Sequence, residues 1–283
     1  LVSTLGAGGK GYFVLDVTTP GRTSGAASTT STPVSNFPNT DPNASAVVWA
    51  DKTDGSDADI GYIFGDPVTA EGNSQKATQI ARMNDGRWAV VLGNGYNSTN
   101  EDPVLVVQYL DGQSTTAAPS IRKIAAATGT TGNATANGLS TPRLVDLNGD
   151  GTVDVVYAGD LKGNMWKFDV SNKVSTGNWD VAFSGKPLYI AKDEGGTRQP
   201  ITSAPNVRTN KSVGGMMVAF GTGRNVTDGD RSDRTSVQTV YAVLDETKYK
   251  LDSDVTNEGK VKAVTSPAPT SVSSRTSPTA HGD

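Results

Sequence analysis

Short apolar runs separated by glycine, proline and polar residues form the main pattern along this chain. The runs are rich in Val, Tyr, Phe and Ile, which favour strands, and most are too short for a helix. Few stretches show the 3.6-residue period of an amphipathic helix. The pattern therefore predicts an all-β fold of short strands joined by turns.

The strand pattern recurs, and each copy has three parts. A strand of small residues and proline comes first, an apolar strand closed by Gly-x-Gly or Gly-Asp follows, and a third strand ends in Asp. The apolar strands of the copies are 88–95, 154–159 and 216–223, the Asp-ended strands are 104–111, 163–170 and 239–245, and 12–16 is a further Asp-ended strand. Repeats of a few short strands predict the blades of a β-propeller, which in known cases number four to eight.

Domain organisation follows from the repeats. We expect residues 1–250 to form propeller blades of an incomplete toroid. The chain either forms a partial toroid by itself or lacks flanking blades, and the second interpretation is favoured because the sequence starts inside a repeat. Residues 19–46 consist mainly of Ser, Thr, Pro, Asn and Gly and are expected to form a long surface loop. Residues 251–283 are expected to be a low-complexity linker or a continuation cut before the next blade.

An acidic loop between two predicted strands carries the strongest chemical signal. Ca²⁺ takes six to eight oxygen ligands, and the EF-hand loop supplies them from positions one, three, five and seven, with glycine at six. Here Asp146, Asn148 and Asp150 fill the first three of these positions, and Thr152 offers its carbonyl at position seven. The spacing predicts a calcium site.

The loop departs from an EF-hand at its end. Position twelve, where an EF-hand has a bidentate Glu, is Tyr157, and the acid stands instead at position nine, Asp154. β-Forming residues follow Asp154, so the loop is expected to run into a strand. An ion-free turn would leave three carboxylates crowded without a counter-charge, and we therefore prefer the metal site.

A second acidic stretch leaves two alternatives open. Four carboxylates follow a predicted strand at irregular spacing: Asp51, Asp54, Asp57 and Asp59. A solvated loop is the favoured interpretation, and a second ion site is the alternative.

Composition excludes several classes of function. The net charge of −4 does not favour binding to nucleic acid. The chain has no Cys and one His, His281, which argues against thiol chemistry and against His-based zinc or catalytic sites. No apolar run approaches the ~20 residues of a membrane helix, so membrane insertion is not expected.

The ordered set of motifs resembles the C-terminal propeller of the PilY1/PilC family of type IV pilus tip-associated proteins. The segments that carry the resemblance are 8–17, 86–96, 146–160, 163–169 and 220–224. It implies part of a modified seven-bladed propeller, with Ca²⁺ held by Asp146, Asn148, Asp150, the Thr152 carbonyl and Asp154. It also implies an extracellular, non-enzymatic adhesin that acts in pilus extension and retraction, twitching motility and surface attachment. Its expected partners are the pilus tip with its minor pilins and a host or abiotic surface.

Two other calcium-containing propellers are alternatives. A quinoprotein dehydrogenase needs stacking aromatics around an axial cofactor, whereas Trp49, Trp88, Trp166 and Trp179 are spread through the repeats. An integrin-type domain repeats its calcium loop in each blade, whereas only one such loop occurs here. Fold analogy alone decides little, and both alternatives rank below the pilus interpretation.

Overall fold

The computed structural model describes residues 1–17, 48–65, 67–71, 73–126, 137–173, 175–210, 215–233, 235–251, 261–265 and 272–277. The predicted surface loop 19–46 lies outside these residues. The strands are β1 (Val2–Thr4), β2 (Tyr12–Leu15), β3 (Val48–Asp51), β4 (Thr69–Ala70), β5 (Asn73–Ala77), β6 (Ile80–Met83), β7 (Trp88–Gly93), β8 (Val104–Tyr109), β9 (Ile121–Ala125), β10 (Arg143–Val145), β11 (Thr152–Val153), β12 (Val155–Gly159), β13 (Asn164–Asp169), β14 (Asp180–Val181), β15 (Tyr189–Ile190), β16 (Asn206–Thr209), β17 (Met216–Gly221), β18 (Gln238–Asp245), β19 (Lys248–Leu251), β20 (Val261–Thr265) and β21 (Val272–Ser277).

Four larger sheets follow one another along the chain. The first sheet has the order β1-β2-β3, and the second has the order β11-β6-β7-β8-β9. The third sheet has the order β10-β12-β13-β14, with β15 also paired to β13, and the fourth has the order β16-β17-β18-β21. Strands β4 and β5 pair with each other, as do β19 and β20. Among the strands of the described residues, β11 and β6 pair in parallel and the other pairs are antiparallel.

Helical structure is minor in the described residues. One α-helix, Asp228–Ser232, begins with a capping box between Thr227 and Asp230. Two short 3₁₀ turns occupy Gly6–Gly8 and Thr176–Asn178. The turn at Ala182–Gly185 contains two residues with left-handed backbone, Phe183 and Ser184.

Neighbouring sheets share hydrophobic cores. Tyr12 of the first sheet packs in one cluster with Val90 and Val106 of the second. Val91 and Leu105 of the second sheet pack with Val156, Trp166 and other residues of the third. Another cluster joins the third sheet to Val218, Phe220 and Tyr241 of the fourth. Each sheet is thus covered by its sequence neighbours, as the apolar central strands predict.

The predicted repeats correspond to the sheets. The three predicted apolar strands correspond to β7, β12 and β17, and the Asp-ended strands to β8, β13 and β18. The outer strands, such as β9, are less apolar and do not stand out in the sequence. Two strands, β20 and β21, lie inside the stretch 251–283 that was expected to be a linker or a continuation, and β21 extends the fourth sheet.

Candidate metal site

Loop 146–154 connects β10 to β12 within the third sheet, and β11 forms part of it. Gly149 and Gly151 adopt φ angles of 79° and 83°, and a Cβ at either would meet nothing within 4 Å. Glycine is therefore required by the left-handed backbone and not by crowding. These two residues let the loop turn sharply enough to fold back on its own acidic side chains.

Asp146 organises the first half of the loop. Its Oδ1 accepts hydrogen bonds from the backbone N–H groups of Asn148 at 3.2 Å and Gly149 at 2.7 Å. Its Oδ2 accepts a hydrogen bond from the N–H of Gly151 at 2.8 Å. The carboxylate at the first predicted ligand position therefore lies at the centre of the loop.

Asn148 and Asp150 continue the same pattern. The Asn148 Oδ1 accepts the N–H of Asp150 at 2.9 Å, and the Asp150 Oδ1 accepts the N–H of Thr152 at 2.8 Å. The Lys173 ammonium lies 2.9 Å from the Asp150 Oδ2. Burial opposes ionisation of Asp150, but hydrogen bonds from Thr152 and Lys173 outweigh it and hold its pKa below the usual value.

Asp154 closes the loop and is fully buried. Its Oδ2 accepts the backbone N–H of Leu147 at 2.8 Å, and its Oδ1 accepts the Asn84 amide at 3.3 Å. Burial raises the pKa of Asp154 to about 6, and the negative charges of Asp150 and Asp146 add to the rise. Both hydrogen-bond donors are neutral, and no cationic side chain in the described part of the chain forms an ion pair with this carboxylate.

The donor chemistry of the loop fits a hard cation. Three carboxylates, one side-chain amide and one backbone carbonyl offer oxygen only, as Ca²⁺ prefers. The carboxylates are turned towards the loop's own N–H groups and Lys173, and no three His, Cys, Asp or Glu side chains converge at metal-ligand distance among the described residues. The uncompensated burial of Asp154 is the observation that favours a cation here.

The second acidic stretch is neutralised by lysines. Asp57 is paired with Lys52 at 3.3 Å and also with Lys123, which in turn lies 2.9 Å from Asp59. Asp51 and Asp54 accept hydrogen bonds from hydroxyl and N–H groups two residues further on, those of Thr53 and Ser56. Positive charge is thus already supplied where a second ion would be needed.

Two residues that contact the loop, Asn84 and Lys173, are not predicted by the sequence pattern. Asn84 bonds to Asp154, and Lys173 pairs with Asp150. Asn84 belongs to the turn Asn84-Asp85-Gly86 of the preceding repeat, which does not have the row of oxygen donors of loop 146–154 and therefore predicts no metal site. Its contact with the loop depends on how two sheets pack.

The four tryptophans do not gather at one place. Trp166 and Trp179 are buried in the core between the second and third sheets, and Trp49 packs against the core between the first and second. Trp88 is 56% exposed. The stacking arrangement of a quinone cofactor therefore has no counterpart in these four residues.

Comparison with known proteins identifies relatives of the chain. The sequence profile of the family described as "PilY1 beta-propeller domain" matches residues 1–265. The chain is 36% identical over 262 residues to the type IV pilus biogenesis factor PilY1 of Pseudomonas aeruginosa PAO1, covering 87% of this chain and 19% of the relative. It is 35% identical over 257 residues to a PilY1 homolog of Xylella fastidiosa, covering 87% of this chain and 15% of the relative. The chain thus spans less than a fifth of the length of these two curated relatives.

A solved structure has the same fold. The crystal structure of the Pseudomonas aeruginosa PilY1 C-terminal domain superposes with a TM-score of 0.62 at 33% identity, over 92% of this chain and 46% of that one. The prediction of a β-propeller made of antiparallel blades is confirmed. The relatives are named as pilus biogenesis factors and not as enzymes. None of the helices in the described residues has the length and apolar character needed to cross a membrane.

Proposed function

This chain belongs to the PilY1 β-propeller domain family, and on that premise we propose that it is the calcium-binding propeller of a type IV pilus-associated adhesin. One Ca²⁺ would be held by Asp146, Asn148, Asp150, the Thr152 carbonyl and Asp154. Its role would be mechanical, without turnover of a substrate.

The buried carboxylate of Asp154 carries this proposal. It is 0% exposed and has only neutral hydrogen-bond donors, while Asp146 and Asp150 add negative charge to the same loop. An uncompensated buried charge of this kind costs several kcal/mol. A divalent cation among the loop oxygens would remove that cost, so binding of the ion would stabilise the folded loop.

The ion would act as a clamp within the third sheet. Asp146 directly follows β10, and Asp154 directly precedes β12, so ligands from both ends of the loop would fix the β10–β12 hairpin. The stabilisation expected from neutralising the three carboxylates is on the order of a few kcal/mol. Loss of the ion would loosen one end of one blade.

The biological role proposed for the whole protein follows from its relatives. Proteins named as type IV pilus biogenesis factors share this domain. We expect the propeller to be extracellular, to meet the pilus tip and its minor pilins, and to contribute to surface attachment, pilus extension and retraction, and twitching motility. Calcium would set the stiffness of the blade that transmits load between pilus and surface.

Isothermal titration of the metal-free chain with CaCl₂ tests the site. We expect one Ca²⁺ to bind per chain and Asp154→Ala to abolish the binding without loss of the β circular-dichroism spectrum. The control is Asp54→Ala, because Asp54 is exposed and bonds within its own turn, to Ser56. Equal heats for wild type and Asp154→Ala would remove the assignment.

A further inference from the structure

Loop 146–154, which holds the proposed calcium ligands and is called the calcium loop below, contributes to two sheets. Its ends lead into β10 and β12 of the third sheet, but its residues Thr152 and Val153 form β11, which pairs in parallel with β6 of the second sheet. Thr152 lies opposite Arg82, and Val153 lies opposite Met83. The second half of the loop is therefore an edge strand of the neighbouring blade.

Asn84 fastens this junction. It directly follows β6, is 5% exposed, and points its side chain at the loop. Its Nδ2 donates to the Val153 carbonyl at 2.6 Å, to the Asp154 Oδ1 at 3.3 Å and to the Val170 carbonyl at 3.2 Å. Its Oδ1 accepts the Thr152 hydroxyl at 3.2 Å. One amide side chain of the second sheet thus bonds to two of the five predicted ligand residues.

Hydrophobic packing next to the Asn84 side chain adds to the contact between the second and third sheets. Met83 and Val153, which lie opposite each other, are both buried in the core that contains Val156 of β12. Val170 donates its N–H to the Asp154 carbonyl, while its own carbonyl accepts from Asn84. A displacement of Asp154 would consequently disturb contacts of the second sheet as well as the third.

We propose that Asn84 is a positioning residue that couples calcium binding at loop 146–154 to the interface between the second and third blades. This inference rests on the calcium site proposed above. Asn84 orients the Asp154 carboxylate and the Thr152 residue whose carbonyl is a predicted ligand, as outer-shell partners orient metal ligands in other proteins. Because coupling between two equilibria is reciprocal, ion binding also strengthens the contact of the second blade with the third.

The alternative is that Asn84 only stabilises the fold. A matched residue separates these roles, because Asn94 is also buried, also lies in the second sheet, and makes four hydrogen bonds at the opposite end of β7. Its amide donates to the carbonyls of Asp59 and Asp102, and its Oδ1 accepts the N–H groups of Val104 and Leu139. None of these partners belongs to the calcium loop.

The first experiment is calorimetric titration with CaCl₂ of wild type, Asn84→Ala and Asn94→Ala, all as the full chain. We expect Asn84→Ala to bind Ca²⁺ about tenfold more weakly than wild type, and Asn94→Ala to bind it with wild-type affinity although it is less stable. Equal affinities for wild type and Asn84→Ala, or equal weakening in both variants, would overturn the coupling while leaving the calcium site intact. Absence of binding in wild type would overturn the site and the coupling together.

Amide hydrogen exchange provides a readout in the other blade. Addition of Ca²⁺ to wild type is expected to slow amide exchange at residues 82–87, which contribute no ligand. In Asn84→Ala, saturating Ca²⁺ is expected to leave exchange at these residues unchanged. Protection confined to residues 146–157 in wild type would contradict the proposal. If the alanine variant does not fold, Asn84→Ser, which keeps one hydrogen-bonding group, is measured against the same two outcomes.

Discussion

The Lys167 ammonium lies 2.6 Å from the Oδ2 of Asp245, and both side chains are buried between the third and fourth sheets. Tyr157 donates its hydroxyl to the same Oδ2, and Thr247 donates its N–H and hydroxyl to the Oδ1. Burial alone would raise the pKa of Asp245, but the charge of Lys167 outweighs it and keeps the pKa below the usual value. The Lys167–Asp245 ion pair thus connects the third sheet to the fourth, whereas Asn84 connects the third sheet to the second.

Removal of the Lys167 ammonium should lower the stability of the fold. Lys167→Met leaves the Asp245 carboxylate buried without a counter-charge, and we expect a loss of about 3–5 kcal/mol in the free energy of unfolding. Urea unfolding followed by tryptophan fluorescence measures the loss.

The double variant Lys167→Met/Asp245→Leu is the control for this prediction. An apolar pair removes the orphaned charge, so most of the lost stability should return. A double variant that is no more stable than Lys167→Met would show that the charge imbalance is not the cause.

Lys173 pairs with Asp150, a carboxylate that the proposed calcium site would use. Its ammonium lies 2.9 Å from the Asp150 Oδ2, and both side chains are partly exposed. Since exposed ion pairs contribute roughly 0.2–1 kcal/mol, we expect Lys173→Met to bind Ca²⁺ more tightly than wild type, by at most about fivefold.

The matched control is Lys186→Met, which removes an exposed lysine that lies outside loop 146–154 and forms no ion pair with its carboxylates among the described residues. Calorimetric titration at equal ionic strength compares the two variants. Weaker calcium binding in Lys173→Met, or the same gain in Lys186→Met, would speak against direct competition at Asp150.

The lowered pKa of Asp230 predicts that the stability of the chain depends on pH in the acid range. Burial opposes ionisation of this carboxyl, but hydrogen bonds from the N–H groups of Val226 and Thr227 and from Arg224 lower its pKa to about 2. Because the folded-state pKa lies below the unfolded value near 4, the stabilisation is fully present above pH 4 and is lost as the pH falls towards 2.

The variant Asp230→Asn tests this dependence. Its thermal midpoint should be lower than that of wild type at pH 6, by an amount that corresponds to about 1–2 kcal/mol. The difference should shrink as the pH approaches 2. A constant difference from pH 6 to pH 2 would mean that ionisation of Asp230 does not stabilise the fold.

Local patterns predicted most of the fold. The apolar strands β7, β12 and β17 and the turns that close them are visible because strand propensity and turn chemistry depend on adjacent residues. Strands β9, β14 and β15 were missed, since they are short or polar and form only where a neighbouring strand offers its edge. The ion pair of Asp57 with Lys123 likewise depends on how two sheets pack, because Lys123 lies in β9 of the second sheet.

The sequence by itself determined the all-β repeat pattern and the row of oxygen donors from Asp146 to Asp154, because both are written into consecutive residues at fixed spacing. Tertiary structure alone decided that Asn84 meets Asp154, 70 positions away, and that Lys167 meets Asp245, 78 positions away. These contacts form where the faces and edges of different sheets come together, and the spacing of residues along the chain does not predict them. The donors of the loop are thus a local property, whereas the attachment of the loop to its neighbouring blades is a property of the packed fold.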